Sequence, residues 1–279
     1  MECYREIRVV GRGSFGAVHL CERRSDGQQV VVKRVSISQM TDSELAASCT
    51  EVRVLSMVQH PLVVRYLDSV VQEDALHIVM EYLPGGTLRD FLRARDGRLL
   101  PQQDVVTWAS QLVLALYHIH SLNVLHRDIT SSNILLTANH RCLKIGDFGI
   151  SKILASKSRA QTLVGTPCYL SPELCDGRDY GRESDIWATG VVVYEMLALR
   201  RPFEAPTLAS LVMQILRARV PPVSATHYDS TVHDLITIML HREPKSRPSA
   251  RQLLAHPALI AAVHAAPVTC FHCSEASYV

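Results

Sequence analysis

The stretch Gly11-Arg-Gly-Ser-Phe-Gly-Ala-Val-His-Leu-Cys-Glu-Arg-Arg-Ser-Asp-Gly-Gln-Gln-Val-Val-Val-Lys33 decides how the chain folds, because two different structures compete for its glycines. Gly11-Arg12-Gly13-Ser14-Phe15-Gly16 fits G-x-G-x-x-G, which in a dinucleotide-binding unit leads straight into a helix. Here Ala17-Val-His-Leu-Cys21 follows instead and reads as a strand, and Asp26-Gly27 supplies a hairpin turn before Gln28–Lys33 returns. The loop therefore joins two antiparallel strands. It serves either as a flap whose backbone N–H groups approach anionic oxygens or as a plain turn, and taken alone it does not separate the two. Lys33 ends the apolar run Val30-Val31-Val32. A lysine kept inside needs an anion and a carboxylate beside it, and otherwise it snorkels to water. Glu51 offers the carboxylate, at the edge of the apolar stripe of a helix that the capping box Thr41-Asp-Ser-Glu44 opens and His60-Pro61 stops. Flap, inward lysine and helix glutamate together describe a phosphate clamp.

Outward from this stretch, two more strands are expected at Val63–Leu67 and Leu76–Glu81. After Pro84-Gly85-Gly86 the character turns helical. Helices are expected over Leu88–Arg95, Gln102–Ser121, Asp185–Leu199, Thr207–Ala218, Thr231–His241 and Ala250–Leu254. Asn123 to Tyr180 has few periodic cues, and a stretch so long inside a compact domain is usually functional. The 279 residues are 47% hydrophobic and 20% charged, which excludes wholesale disorder. Lys+Arg minus Asp+Glu is 29 − 27 = +2, so no strong field steers the chain to nucleic acid or anionic membrane. Val105 to Leu125 lacks formal charge but carries Gln111, His118, His120 and Asn123, and its apolar spacing fits a buried helix rather than a membrane span. The N-terminus lacks the apolar region of a signal peptide. The 8 cysteines show no framework spacing and read as reduced thiols. Cys270 and Cys273 could form half a zinc site but lack a second pair of ligands, so a frayed tail is the preferred reading.

His126-Arg127-Asp128-Ile-Thr130-Ser-Ser-Asn133 and Asp147-Phe-Gly149 bring these pieces into one pattern. With the loop Gly11–Val18, the V-V-V-K strand, Ser171-Pro-Glu173, Ser184-Asp-Ile-Trp187 and Arg247, the chain resembles the eukaryotic protein kinase family over about residues 4–262. The resemblance implies an α+β, bilobal fold. Its N-lobe, residues 1–82, would be a small antiparallel sheet with one helix. A hinge at 83–86 would lead to a larger, mainly helical C-lobe at 87–262, with a disordered tail at 263–279. It also implies ATP and Mg²⁺ as cofactors and protein substrates as partners. Gly11, Arg12, Gly13, Ser14, Phe15, Gly16, Val18, Val31, Lys33, Met80, Glu81, Leu83 and Leu135 would bind the nucleotide, with Met80 as gatekeeper and Glu81 and Leu83 offering backbone groups to adenine. Asn133 and Asp147 would hold the metal, Glu51 would orient Lys33, and Asp128 would accept the substrate proton, with Arg127 and Thr166 completing the catalytic set.

Asp147-Phe-Gly-Ile-Ser-Lys-Ile-Leu154 and Val164–Cys175 are similar to the NIMA-related serine/threonine kinases. The resemblance is to the subgroup in which the kinase domain precedes a propeller of chromosome-condensation-type repeats, which the segment after residue 262 is too short to hold. Kinship implies a cytoplasmic protein at the cytoskeleton, centrosome or cilium. Thr162 falls where these kinases carry an activating phosphate, placed by an upstream kinase or by autophosphorylation and facing Arg127. Thr130 departs from the family, which places a lysine there. Loss of that contact predicts slow catalysis with retained nucleotide binding, unless Lys152 or Arg159 substitutes. The alternative is a nucleotide-binding, pseudokinase-like scaffold acting through protein partners.

Overall fold

The computed structural model describes residues 2–13, 16–38, 41, 52, 56–146 and 167–263. Strands β1 (Tyr4–Gly13), β2 (Gly16–Arg23), β3 (Gln29–Ser36), β4 (Tyr66–Gln72) and β5 (Ala75–Glu81) form one antiparallel sheet in the order β1-β2-β3-β5-β4. Alternation sorts its residues onto two faces. Cys21, Val30, Val32 and Val79 pack together on one of them. Val35, Leu76 and Ile78 point the other way, into the large core they share with the helices. Register places Val18 opposite Lys33 and Lys33 opposite Ile78, and likewise Leu20 opposite Val31 and Val31 opposite Met80. Val18, Val31, Lys33 and Met80 therefore share the face that looks toward the helical half.

The strand expected at Val63–Leu67 lies later, at β4. Leu62, Val63 and Val64 are all buried, which an alternating strand with one wet face would not allow, and Val63 makes only an isolated bridge to Ile145. Glu73 and Asp74, at φ 51 and 55°, turn β4 into β5. Two consecutive positive φ values make the tight hairpin turn that glycine or asparagine normally signals, so a Glu-Asp pair carries no cue for it.

The helical half begins at α1 (Leu88–Arg93), where the Thr87 hydroxyl accepts the Asp90 N–H. Helix α2 (Gln102–Ser121) runs through the core, with Leu112, Val113, Ala115, Leu116 and Ile119 fully buried. It spans the residues its periodicity predicts. Across Asn123–Tyr180, β6 (Ile134–Leu136) and β7 (Leu143–Ile145) form a two-stranded sheet, and α3 (Pro172–Cys175) follows a 3₁₀ turn at Pro167–Tyr169. Elements of three and four residues carry about one period at most, which is why this stretch read as a loop. Helices α4 (Arg182–Ala198), α5 (Leu208–Arg217), α6 (Ser230–Met239) and α7 (Ala250–Leu253) complete the order. Their caps are local. Thr207, Asp229 and Ser249 each accept backbone N–H groups of the first turn, and Leu199 and Ala218 close α4 and α5 with left-handed φ values of 54 and 47°. No helix of the described residues is long and apolar enough to cross a membrane.

Candidate active site

The site is assembled by a loop, residues 123–133, that leaves α2 and enters β6. Its middle is backbone-strained: Arg127 sits at φ 67°, a left-handed conformation that costs a non-glycine residue about 1–3 kcal/mol unless its surroundings hold it. Asp185, fully buried on α4, does the holding. Its Oδ1 accepts the Arg127 N–H at 3.1 Å and the Tyr180 hydroxyl, and its Oδ2 accepts the His126 N–H at 3.0 Å and His120 Nε2 at 2.8 Å. Burial alone would raise the Asp185 pKa, but the His120 bond, the nearby histidines and the tyrosine outweigh it, so the group stays below its ordinary value. Tyr180 pays no proton into this arrangement: burial and the Asp185 charge keep its phenol well above the usual range.

His126 ties the loop to the next segment. Its Nε2 bonds the Gly146 carbonyl at 3.1 Å, and its Nδ1 accepts the Asp128 N–H at 3.3 Å. One neutral tautomer, with the proton on Nε2, satisfies both bonds. Gly146 is glycine for space, since a Cβ there would stand 2.9 Å from Val64 Cγ2. Asp128 is fixed from the far end of the loop. Asn133 Nδ2 donates both to the Asp128 backbone carbonyl at 2.8 Å and to its carboxylate Oδ2 at 2.9 Å. The amide oxygen of Asn133 is thereby left for another partner, and it has no hydrogen bond among the described residues. A hard oxygen beside a carboxylate fits a small divalent cation. Among the described residues there is no group of three or more His, Cys, Asp or Glu side chains placed to hold a metal. A site here would draw on Asn133 together with residues outside that range.

A third anchor comes from the chain after residue 166. Ser131 donates its N–H to the Tyr169 hydroxyl at 3.3 Å and shares a hydroxyl bond with it at 2.9 Å, and Tyr169 donates to Glu195 on α4. Burial raises the Glu195 pKa and the Tyr169 pKa alike. Next to this network, Glu173 and Arg247 form a bidentate pair at 2.8 and 2.8 Å, and Ser184 donates to Glu173 at 2.6 Å. Arg247 also reaches the carbonyls of His241, Glu183 and Arg242, and its guanidinium lies 4.9 Å over the Trp187 ring. Burial would raise the Glu173 pKa, but Arg247 and Ser184 bring it down to about 2.

The sheet and the helical half meet at residues 81–87. The Glu81 carboxylate takes both Lys144 Nζ contacts at 2.8 Å and the Arg65 N–H at 2.7 Å, so the side chain is spent on structure. Gly85 and Gly86 exchange backbone bonds with Leu136 at 3.1 and 2.9 Å, and Thr87 bridges Leu135. Gly85 must be glycine, since a Cβ would come within 2.3 Å of the Thr137 carbonyl. This pairing ties Leu135 to the junction through Thr87, and Leu83 is buried there. At the opposite edge, Gly16 has φ 147° and a Cβ would stand 1.8 Å from the Arg34 carbonyl. Gly11 by contrast has only ordinary contact with Val18 at 3.8 Å.

Asp128, Arg127 and Asn133 thus stand on one loop, Val18, Val31, Lys33 and Met80 share one face of the sheet, and Glu81, Leu83 and Leu135 lie at or beside the junction at residues 81–87. Arg12 and Gly13 end β1. Ser14, Phe15, Glu51, Asp147, Thr162 and Thr166, with Lys152, Arg159 and the Cys270–Cys273 pair, lie outside the described residues, as does most of the helix expected after Thr41. Thr130 is 5% exposed and gives its carbonyl to the Asn133 N–H at 3.0 Å. The supports Asp185, Tyr180, His120, Tyr169, Glu195 and Lys144 had no assigned role in the sequence reading. Only Asp185 had a signal, within Ser184-Asp-Ile-Trp187.

The chain matches the protein kinase domain family over residues 4–259. Serine/threonine-protein kinase Nek8 of Danio rerio is 46% identical over 256 residues, covering 92% of this chain and 37% of its own length. Serine/threonine-protein kinase nekl-2 of Caenorhabditis elegans is 39% identical over 269 residues, covering 93% of this chain and 75% of its own. Serine/threonine-protein kinase Nek1 of Mus musculus is 41% identical over 255 residues, covering 91% of this chain and 21% of its own. The chain therefore spans a minor part of the length of Nek8 and of Nek1.

Proposed function

We propose an activity from one premise: this chain belongs to the protein kinase family, on its NIMA-related serine/threonine branch, and so has the bilobal α+β fold of that family. It transfers the γ-phosphate of ATP to serine or threonine hydroxyls of protein substrates. The observation that carries the reading is the Asp128–Asn133 pair at 2.9 Å, mounted on a loop whose strained Arg127 is held by Asp185. Phosphoryl transfer asks a protein mainly to position groups and to balance charge, and a preset carboxylate suits the first task. Asp128 receives the proton of the attacking hydroxyl, and the Asn133 amide orients it from behind.

The family implies ATP and a divalent metal. Here the ion is taken to be Mg²⁺, held by Asn133 and Asp147, and when bound it neutralises charge on the β- and γ-phosphates. Gly11 to Gly16, with Arg12, Gly13, Ser14 and Phe15, cover the phosphates, and Lys33, oriented by Glu51, contacts them. Adenine lies between Val18, Val31 and Leu135 and meets the backbone of Glu81 and Leu83 behind Met80. Residues 1–82 and 87–262 act as the two lobes of a domain spanning 4–262, with 83–86 as hinge and 263–279 as a tail. Thr162, phosphorylated by an upstream kinase or by autophosphorylation, orders the segment that holds Thr166. The cytoplasm, and by family resemblance the cytoskeleton, centrosome or cilium, is its place of action. No nucleic acid partner is invoked.

Thr130 favours a second reading. A buried, neutral side chain stands where the family's lysine would meet the γ-phosphate, so a nucleotide-binding scaffold with little turnover is the alternative. A radiolabelled-phosphate assay on a generic protein substrate separates the two. Wild type should transfer label and Asp128→Asn should lose it by at least about 10²-fold. Equal signal from both proteins overturns the enzyme reading.

A further inference from the structure

The rim of the catalytic loop carries a cation, Arg89, that no carboxylate pairs with among the described residues. Helix α1 buries Leu88 and Leu92, four residues apart, so Arg89 and Arg93 form the adjacent stripe along the same helix. Arg89 opens that stripe against the loop: its N–H donates to the Ser131 carbonyl at 2.9 Å, and its Nη1 donates to Ser132 Oγ at 3.3 Å. Ser132 is the residue before Asn133 and four after Asp128. Arg89 is half-buried, yet among the described residues its one side-chain bond is to this neutral hydroxyl at long range. Three other well-covered cations do have carboxylate partners: Lys144 with Glu81 at 2.8 Å, Arg201 with Glu195 at 3.3 Å and buried Arg247 with Glu173 at 2.8 Å, while half-buried Arg95 spends its guanidinium on the Arg98 and Leu99 carbonyls. Among the described residues, no carboxylate forms an ion pair with Arg89 or Arg93.

We propose that Arg89 is a specificity-determining residue of the phosphoacceptor site, selecting protein segments that carry an aspartate or glutamate a few residues from the serine or threonine to be phosphorylated. The proposal rests on the kinase reading above and names its substrate class. A segment whose hydroxyl reaches Asp128 must run past the adjoining loop residues, and an extended chain advances about 3.3 Å per residue. One of its side chains therefore passes the Arg89 guanidinium. A carboxylate there gains a charge-assisted fork that Ser132 alone does not supply, whereas a lysine meets repulsion. Arg93 lies one helical turn on, about 6 Å away along the axis. That distance matches the spacing of alternate side chains on an extended peptide, so a second acid two residues from the first is favoured as well.

The test is a set of serine peptides with aspartate, alanine or lysine scanned over the four positions on each side of the acceptor. Wild type should prefer aspartate over lysine about tenfold in kcat/KM at one position, mostly through KM and weakening with salt. Arg89→Glu should reverse that preference at the same position, and Arg89→Lys should keep part of it. A variant that merely loosened the Ser132 contact would lower all rates alike without reversing the order. An unchanged preference in Arg89→Glu, or none in wild type, overturns the inference. If no peptide accepts phosphate, the kinase reading fails by itself. Binding of the same peptides with alanine in place of serine then decides the inference separately: tighter binding of the aspartate peptide that Arg89→Glu reverses sustains it, and equal binding overturns it.

Discussion

Arg247 offers the sharpest test of how the helical half is held together. The Glu173–Arg247 pair is 4% and 5% exposed, so neither charge has water to fall back on. Arg247→Met keeps the bulk over Trp187 but strands the Glu173 charge and orphans the carbonyls of His241, Glu183 and Arg242. Removing one partner of a buried pair costs about 3–5 kcal/mol. For a chain of this size that is a Tm drop of roughly 6–20 °C. The same pair predicts an acid limb. Glu173 is held at about 2 against an ordinary 4.5, so its stabilisation is complete above about pH 4.5 and is lost as the pH falls toward 2. The difference of about 2.5 units corresponds to roughly 3 kcal/mol. Urea melts of wild type and Glu173→Gln between pH 3 and 7 measure it: wild type should weaken steeply on acidification, and the variant should start lower and slope less. If Arg247→Met fails to fold, Arg247→Lys should lie between, keeping the charge and losing the fork. A Met variant within about 1 kcal/mol of wild type, with an unchanged acid limb, would refute the reasoning.

Four further outcomes follow from the site. Thr130→Lys restores the cation the family normally has and should raise kcat by up to about 10²–10³, with KM for ATP little changed; unaltered turnover in a steady-state assay contradicts the role given to that position. Gly16→Ala forces a Cβ to within 1.8 Å of the Arg34 carbonyl at φ 147°, whereas Gly11→Ala meets only ordinary contact. Thermal melts should therefore show Gly16→Ala the worse by at least about 1–2 kcal/mol, and parity of the two variants would count against the loop geometry. His60 stacks on His118 at 4.9 Å, and burial, then His118, then Lys144 hold its pKa near 4. Since the unfolded histidine titrates near 6.5, stability should decline as the pH falls from 6.5 toward 4, and His60→Gln should flatten that limb in melts across the range. Asp185→Asn keeps the size but loses the charge that holds Arg127. Its kcat should fall about tenfold or more while nucleotide binding measured by calorimetry persists; equal kcat would remove Asp185 from its positioning role.

What the sequence disclosed and what it hid divide along chain distance. Helix α2 was legible to the residue because twenty residues of 3.6-fold apolar spacing override any local ambiguity. The antiparallel hairpin around the glycines was legible because a strand and an Asp-Gly turn follow them, so that local order alone excludes the helix a dinucleotide site requires. Asp128 and Asn133 were legible as types at a fixed spacing, five residues apart on one loop, and their bond depends on nothing beyond that loop. The strand at Tyr66–Gln72 was misplaced because its Glu73-Asp74 turn borrows a conformation those residues seldom take.

The supports of the loop left almost no trace in the sequence, and only Asp185 had one, within Ser184-Asp-Ile-Trp187. Asp185 reaches it over 58 and 59 residues of chain, and Tyr169 reaches Ser131 over 38. Each is an ordinary helix or turn residue in its own neighbourhood. Their role exists only once α4 lies beneath the loop, and it is this packing that makes a left-handed Arg127 tolerable. A loop made of one strained residue and one carboxylate would relax in isolation. Four bonds to a single buried aspartate, itself kept ionised by those bonds, convert the strain into a fixed position for Asp128. Local sequence therefore marked the candidate groups, while the stiffness that holds them came from residues whose local neighbourhood gives no sign of that role.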